Sequence, residues 1–430
     1  MPSNCGAQFL YYQISEYEGA KSVENAIHKR LRKRTIVILA ILAVILVAYA
    51  VFVISINWSM TASANLENLN ISTEPLIAYD MPALVADLRI PKLLPSSNSS
   101  GVRDFIFYDL SSFDLSDKYQ ELLWTSFSTN TTWPENLPEN FSPEQIMEIG
   151  KNPGLGLREL HARGITGRGV GVAVIDFNLL AGHEQYAERL RVYELYRTIN
   201  KTAVMHSAVA SIAAGKDTGV APGADLYYIA TMFGTFLPPF TLVDYNNLVT
   251  CIERILEINS HLPDNEKIRV LSISKSFLIS ELSGRALREV IERANESGVF
   301  VITCSPQENF EFRLMGLGRN PLADPDDISS YSVSILNSGV HIPYDALLIP
   351  IDSRTTAGYT GESDYVFYRQ GGYSWAAPWL AGMYALCVQV YPDITPELFI
   401  ELAFETGDSF RAGKIINPIR LIERLENGAF

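Results

Sequence analysis

The sequence is short of cysteine, histidine and positive charge, and each shortage narrows what the chain can be. Its 430 residues hold four cysteines. Cys5, Cys251, Cys304 and Cys387 show no Cys-x-x-Cys spacing, which excludes a zinc ribbon and a disulfide-dense scaffold. There are six histidines, so any imidazole chemistry must use one of six named positions. Lys and Arg number 34 against 48 Asp and Glu, a net charge of −14. That sign argues against a partner held through phosphates, and no nucleic acid is expected as a partner. Apolar residues, by contrast, make up 47% of the chain and charged residues only 19%, so a large core is available and wholesale disorder is excluded. At roughly 150 residues per domain the length suggests two or three units.

The first feature along the chain is Thr35–Ile56 (TIVILAILAVILVAYAVFVISI), an apolar run without a charge or a polar stripe. It is long enough to cross about 30 Å of hydrocarbon as a helix. Lys29, Arg30, Arg32, Lys33 and Arg34 precede it, and positive charge favours the cytoplasmic side. The expectation is a single-pass cell-membrane protein with residues 1–34 as a basic cytoplasmic segment, 35–56 as the transmembrane helix and the remainder extracytoplasmic. A cleaved signal peptide is the alternative, and the small residues Ser59, Thr61, Ala62, Ser63 and Ala64 supply material for a cleavage site.

Residues 57–149 read as a stalk or leading segment. LPSSNSSG (94–101) and TNTTWPENLPEN (129–140) have loop composition, whereas 104–128 is aromatic enough to pack against something. From about residue 150 the texture becomes alternating strand and helix. GVGVAVI (169–175), LYYIA (226–230), IRVLSIS (268–274) and VFVITC (299–304) read as strands buried on both faces. Ala286, Leu287, Val290, Ile291 and Ala294 recur at helical spacing with Arg285, Arg288, Glu289, Glu292 and Arg293 opposite. A further helix is expected over 241–258. The fold class is therefore α/β: a doubly wound, mostly parallel sheet with helices on both faces, over 150–430, with its site at the carboxyl ends of the strands.

Three segments carry chemistry. Val172-Ala173-Val174-Ile175-Asp176 ends a buried strand in a carboxylate. Met205-His206-Ser207-Ala208-Val209-Ala210-Ser211 opens a helix with a histidine, and Gly371-Gly372-Tyr373-Ser374-Trp375-Ala376-Ala377-Pro378 places a serine where a glycine turn enters a helix, with Pro378 near its start. Asp, His, Ser in that order is the order of the subtilisins. Each segment resembles its counterpart in the subtilisin-like serine peptidase family, as do Gly219-Val220-Ala221-Pro222, Gly164–Gly169 and the closing helix expected within 392–407. The resemblance covers about 150–410. It implies a serine endopeptidase fold in which Ser374 attacks a peptide carbonyl, His206 takes its proton and Asp176 orients the histidine. No cofactor and no metal ligand set is implied; Asp324-Pro325-Asp326-Asp327 reads as a solvated loop, with Ca²⁺ binding as the alternative, Ser353–Thr356 as loop-like, and the remaining cysteines as buried thiols.

Three positions depart from the family pattern. Val209–Ile212 anchors the histidine helix so that Met205 falls at the base position and His206 one residue, or about 100° of helix, beyond it. A one-residue deletion in the first turn would restore His206, so both registers are open. Gln307 stands where the family has its oxyanion asparagine. The edge that pairs with substrate backbone reads Ser274-Lys275-Ser276-Phe277, and Phe277 replaces a glycine, which predicts steric obstruction. Two functions follow: a membrane-anchored endopeptidase acting on a peptide or protein substrate, or a pseudopeptidase kept as a binding or regulatory module. The oligomeric state is left open.

Overall fold

The computed structural model describes residues 28–51, 89, 91–198, 207–233, 235–237, 240–242, 245–281 and 283–428. The chain divides into two compact units, Met1–Ser59 and Met60–Phe430. In the first, helix α1 (His28–Val51) has 24 residues and is long and apolar enough to cross a membrane, or to serve as a signal sequence. It starts one basic cluster earlier than the apolar run; 52–56, also assigned to the span, lie outside the described residues.

The second unit is built on strands β1 (Gly171–Asp176), β2 (Leu190–Tyr196), β3 (Asp225–Thr231), β4 (Ile268–Ile273) and β5 (Phe300–Thr303). All are parallel, in the order β2-β3-β1-β4-β5. Helices α2 (Ser207–Ala214), α3 (Asn246–His261), α4 (Gly284–Glu296) and α5 (Tyr373–Val390) cover it on both faces. The expected doubly wound α/β arrangement is what forms. Side chains alternate across a strand. Val172 and Val174 of β1, with Val270 of β4, join the core beneath α2 and α5, whereas Ala173, Ile175, Leu271 and Ile273 join the one beneath α3 and α4. That parity carries Asp176, and Ser274 just past β4, onto the face of α2 and α5. Helix α4 shows its periodicity directly: Leu287, Val290, Ile291 and Ala294 are buried, Arg288 reaches Glu292 at 2.8 Å on the open side, and Gly298 (φ +85°) ends the turn beyond.

Strand β2 escaped the sequence reading because Arg191 and Glu194 interrupt its apolar pattern. Glu194 is buried against the guanidinium of Arg254 on α3, with 3.0 Å between them. A second sheet, of strands 331–333, 313–319, 346–350, 413–415 and 408–410, was also unseen. Ser353–Thr356, expected to be loop-like, is not a loop. It is fully buried, and Arg354–Ala357 is a strand paired antiparallel with Tyr365–Tyr368. Asp326 behaves as a loop residue with a structural task, its carboxylate accepting from the Gly156 N–H and the Asn152 amide at 2.9 and 2.8 Å.

Part of the leading segment adds to this architecture. Thr125–Ser128 pairs antiparallel with Tyr365–Tyr368, and Arg103–Asp104 lies parallel on its other side. Phe105, Leu122, Phe127, Phe141, Met147, Tyr365 and Phe367 bury together in a third core cluster, the packing that the aromatic content of 104–128 calls for.

Candidate active site

Asp176 ends β1 with 1% exposure. Its Oδ1 accepts the Phe177 N–H at 2.7 Å, and the Phe177 carbonyl is in turn held by the Tyr228 hydroxyl at 2.6 Å. Burial pushes the carboxyl up to about 7, against the opposing pull of the Phe177 N–H and the Ser274 hydroxyl.

Ser374 occupies the second position of α5, half-buried. Gly371 makes the entry turn because no side chain fits there: a Cβ would stand 2.1 Å from the Ile351 carbonyl oxygen. The turn is fixed by Asp352, whose carboxylate accepts the Gly371 N–H at 2.9 Å. Gly372 caps α5 without a side-chain acceptor; Trp375 N–H bonds the Gly372 carbonyl at 3.0 Å, and the Tyr373 and Ser374 N–H groups have no partner among the described residues, at the positive end of the helix. Pro378 lies inside α5, not at its start. Lacking an N–H, it cannot bond the carbonyl four residues back, which belongs to Ser374. The Ser274 hydroxyl bonds that carbonyl instead, at 2.9 Å. Ser274 thus holds the serine's own backbone, and its hydroxyl also pulls the Asp176 pKa down. Sequence spacing could have found this contact, since Pro378 is four residues past Ser374; Asp352 and Tyr228 had no such signal.

His206 and Met205 lie outside the described residues, which resume at Ser207, the first residue of α2. Three other histidines are committed elsewhere. His183 is fully buried; its Nδ1 accepts the Gln185 N–H at 3.2 Å, so Nε2 donates to the Asp364 carbonyl at 2.8 Å. His161 bonds the Val220 carbonyl, and His261 the Glu257 carbonyl. Burial lowers the pKa of His161 and His183, which fits neutral rings.

Beside Ser374 opens a cleft of about 760 Å³, lined among others by Lys275, Ser276, Cys304, Gln307, His341 and Tyr373. Gln307 projects from a short turn after β5, exposed, its amide without a partner among the described residues. Asn309 lines a different cleft, with Arg269 and Pro392. Backbone groups past β4 divide by parity. The Lys275 carbonyl accepts from Cys304 N–H at 3.2 Å, and Ser305 Oγ clamps both Phe277 N–H and Phe277 carbonyl, at 3.0 and 3.1 Å. Ser276 between them is exposed, and its N–H and carbonyl have no partner among the described residues. Phe277 does not obstruct this edge. Its ring turns into the core beneath α3, 2% exposed and edge-on to Tyr245 at 6.0 Å. Burial pushes the Cys304 thiol up to about 12, which leaves it a neutral wall of the cleft. Among the described residues no cluster of His, Cys, Asp and Glu could hold a metal ion.

The buried carboxyls make stability depend on pH. Asp176 at about 7 and Asp352 at about 6 both keep, when folded, protons that the unfolded chain releases near the ordinary carboxylate range. The unfolded state therefore binds fewer protons between about pH 4 and 7, and stability falls as pH rises through that window, then levels. Denaturant titrations across it should show this slope, and Asp176→Asn should flatten it; an unchanged slope would show that Asp176 does not hold its proton.

No protein-family model matches the sequence, and no curated protein does. Among solved structures, the chain is similar to the prenylagaramide maturation protease PagA at 16% identity and a TM-score of 0.44, over 64% of this chain and 99% of that one. It is similar to a chain from a structure of subtilase cytotoxin SubAB assembly at 13% identity and 0.47, over 64% and 95%. A third likeness is to the A-subunit of the AB5 toxin from E. coli, at 14% identity and 0.49, over 64% and 99%.

Proposed function

We propose that this chain is a serine endopeptidase held by α1 on the outer face of a cell membrane, with its N-terminus in the cytoplasm. The observation that carries the reading is the Ser274 hydroxyl bond to the Ser374 carbonyl, which ties the serine-bearing turn of α5 to the end of β4 beside an open cleft. In this reading Ser374 Oγ attacks the carbonyl carbon of a peptide bond while His206 takes its proton. Ionised Asp176 steadies the resulting imidazolium. The Ser374 N–H and the Gln307 amide donate to the oxyanion. The C–N bond then breaks, the amine leaves with the proton from His206, and water hydrolyses the Ser374 ester by the same steps. The free N–H and carbonyl of Ser276 would pair with the substrate backbone as an added strand.

Two features favour a second reading, a peptide-binding module without turnover: Met205 at the base position of the family register, and a carboxyl at position 176 that holds its proton up to about pH 7. A fluorophosphonate probe on the full chain in detergent separates the two. An adduct mapped to Ser374 by mass spectrometry, forming faster as pH rises through about 7, is the expected result; no adduct at any pH would leave only the binding module. Ser274→Ala should slow labelling about tenfold, the effect of stranding the Ser374 carbonyl at roughly 1–3 kcal/mol. An undiminished rate would show that this bond does not position the serine.

A further inference from the structure

Residues 123–130 of the leading segment run along the strand that delivers the serine turn. Phe127 pairs with Phe367 and Ser128 with Val366. Thr129 N–H donates to the Tyr365 carbonyl at 2.9 Å, and the Asn130 amide reaches Asp364 at 2.7 Å. The strongest grip is on Arg369, five positions before Ser374 and 8% exposed. Its N–H bonds Ser126 Oγ at 3.0 Å, Nε bonds the Leu123 carbonyl at 3.0 Å, Nη1 bonds Ser353 Oγ at 3.2 Å, and its guanidinium lies 4.5 Å from the Trp124 ring centroid. Beyond Arg369 the chain has only Gln370 before Gly371 locks against Ile351 and Asp352. Position is thus fixed on both sides of a very short tether, and one side is supplied from outside the region that resembles the peptidase family.

We infer that residues 123–130 are a permanent clasp on the serine-bearing turn, with Arg369 as a positioning residue, rather than a removable or inhibitory leader. The segment touches the strand before the serine and, among the described residues, contributes none to the cleft beside it. A leader that must leave would expose Phe127, Phe367 and the Arg369 guanidinium together; a clasp keeps all three covered. For its effect on chemistry the clasp depends on Ser374 being the nucleophile proposed above. For its effect on the turn it does not.

The test uses the full chain in detergent with Trp124→Ala and Arg369→Lys. Trp124 is 40% exposed, so its truncation should leave the fold intact. Two readouts apply: hydrogen exchange of the 369–376 amides, with 171–176 of β1 as internal reference, and the rate of probe labelling at Ser374. The clasp predicts faster exchange at 369–376 in both variants with β1 unchanged, and labelling slowed by about tenfold or more, the scale of a small misplacement of a reacting group. Unchanged exchange at 369–376, or an equal rise in β1, would overturn it, whether or not the wild type labels. Absence of labelling in the wild type would instead sink the peptidase reading, and exchange would still decide the clasp. Labelling that persists at full rate in both variants would reduce Arg369 to a structural role.

Discussion

Ser374→Ala is expected to remove fluorophosphonate labelling entirely and to reduce peptide turnover by at least four orders of magnitude, while leaving the fold as it is. The size follows from chemistry. An alanine at 374 has no oxygen to attack with, and what survives is binding and oxyanion stabilisation alone. The mild effect on folding follows from the site. Ser374 enters the main bonding pattern through its backbone carbonyl, which Ser274 holds and alanine retains. Intact-mass spectrometry gives the first answer and a thermal melt the second. Labelling that survives in the alanine variant would mean another nucleophile is being read, and the assignment of Ser374 would fall.

His206→Ala is expected to be as damaging as Ser374→Ala, and the double variant no worse than either, because serine and base act as one unit. Met205→His is the companion measurement. If His206 is the base, a second imidazole one position earlier adds nothing, since the two differ by about 100° around the helix. A rise in labelling on Met205→His, together with an inert His206→Ala, would reverse the assignment: the scaffold would be a former peptidase that had lost its base, and the binding-module reading would replace the proposal. Of the other histidines, three are engaged elsewhere, while His341 lines the cleft and His341→Ala is the control for it. His161, His183 and His261 are each tied to a backbone carbonyl.

How much of this was legible in the sequence depends on the interaction. The four strands recognised from sequence were visible because each is mostly apolar and β-branched, with Arg269 the one charge among them. β2 was hidden by Glu194 and Arg191, since a charge is tolerated inside when a partner such as Arg254 arrives from a distant helix. Ser353–Thr356 misled for a related reason. Its hydroxyls and guanidinium look solvated, yet Thr355 Oγ1 bonds the Met147 carbonyl and Arg354 the Thr218 carbonyl, partners 208 and 136 residues away. Phe277 was read as an obstruction from the residue type alone; which way its ring turns depends on Tyr245, which no spacing rule connects to it. Lys275, Ser276 and Gln307 line one cleft beside the turn that carries Ser374, while Asp176 is buried at the end of β1. Their roles remain those of the proposal, and His206 lies outside the described residues.

The missing N–H of Pro378 also bears on the order of folding. A helix normally closes its first turns with its own hydrogen bonds, but the Ser374 carbonyl lacks its usual donor four residues on and takes the Ser274 hydroxyl, which arrives with β4. The Ser374 turn is therefore completed by tertiary docking and not by helix propagation. It should be among the last pieces of the domain to become ordered during refolding and among the first to open in the native state. Pulse-labelled hydrogen exchange would show this as late protection of 373–376 relative to 379–388 of the same helix, and simultaneous protection would contradict it. If Ser374 is the proposed nucleophile, the chain acquires its reactive serine only after the sheet beneath it is finished, which limits what a half-folded copy could cut.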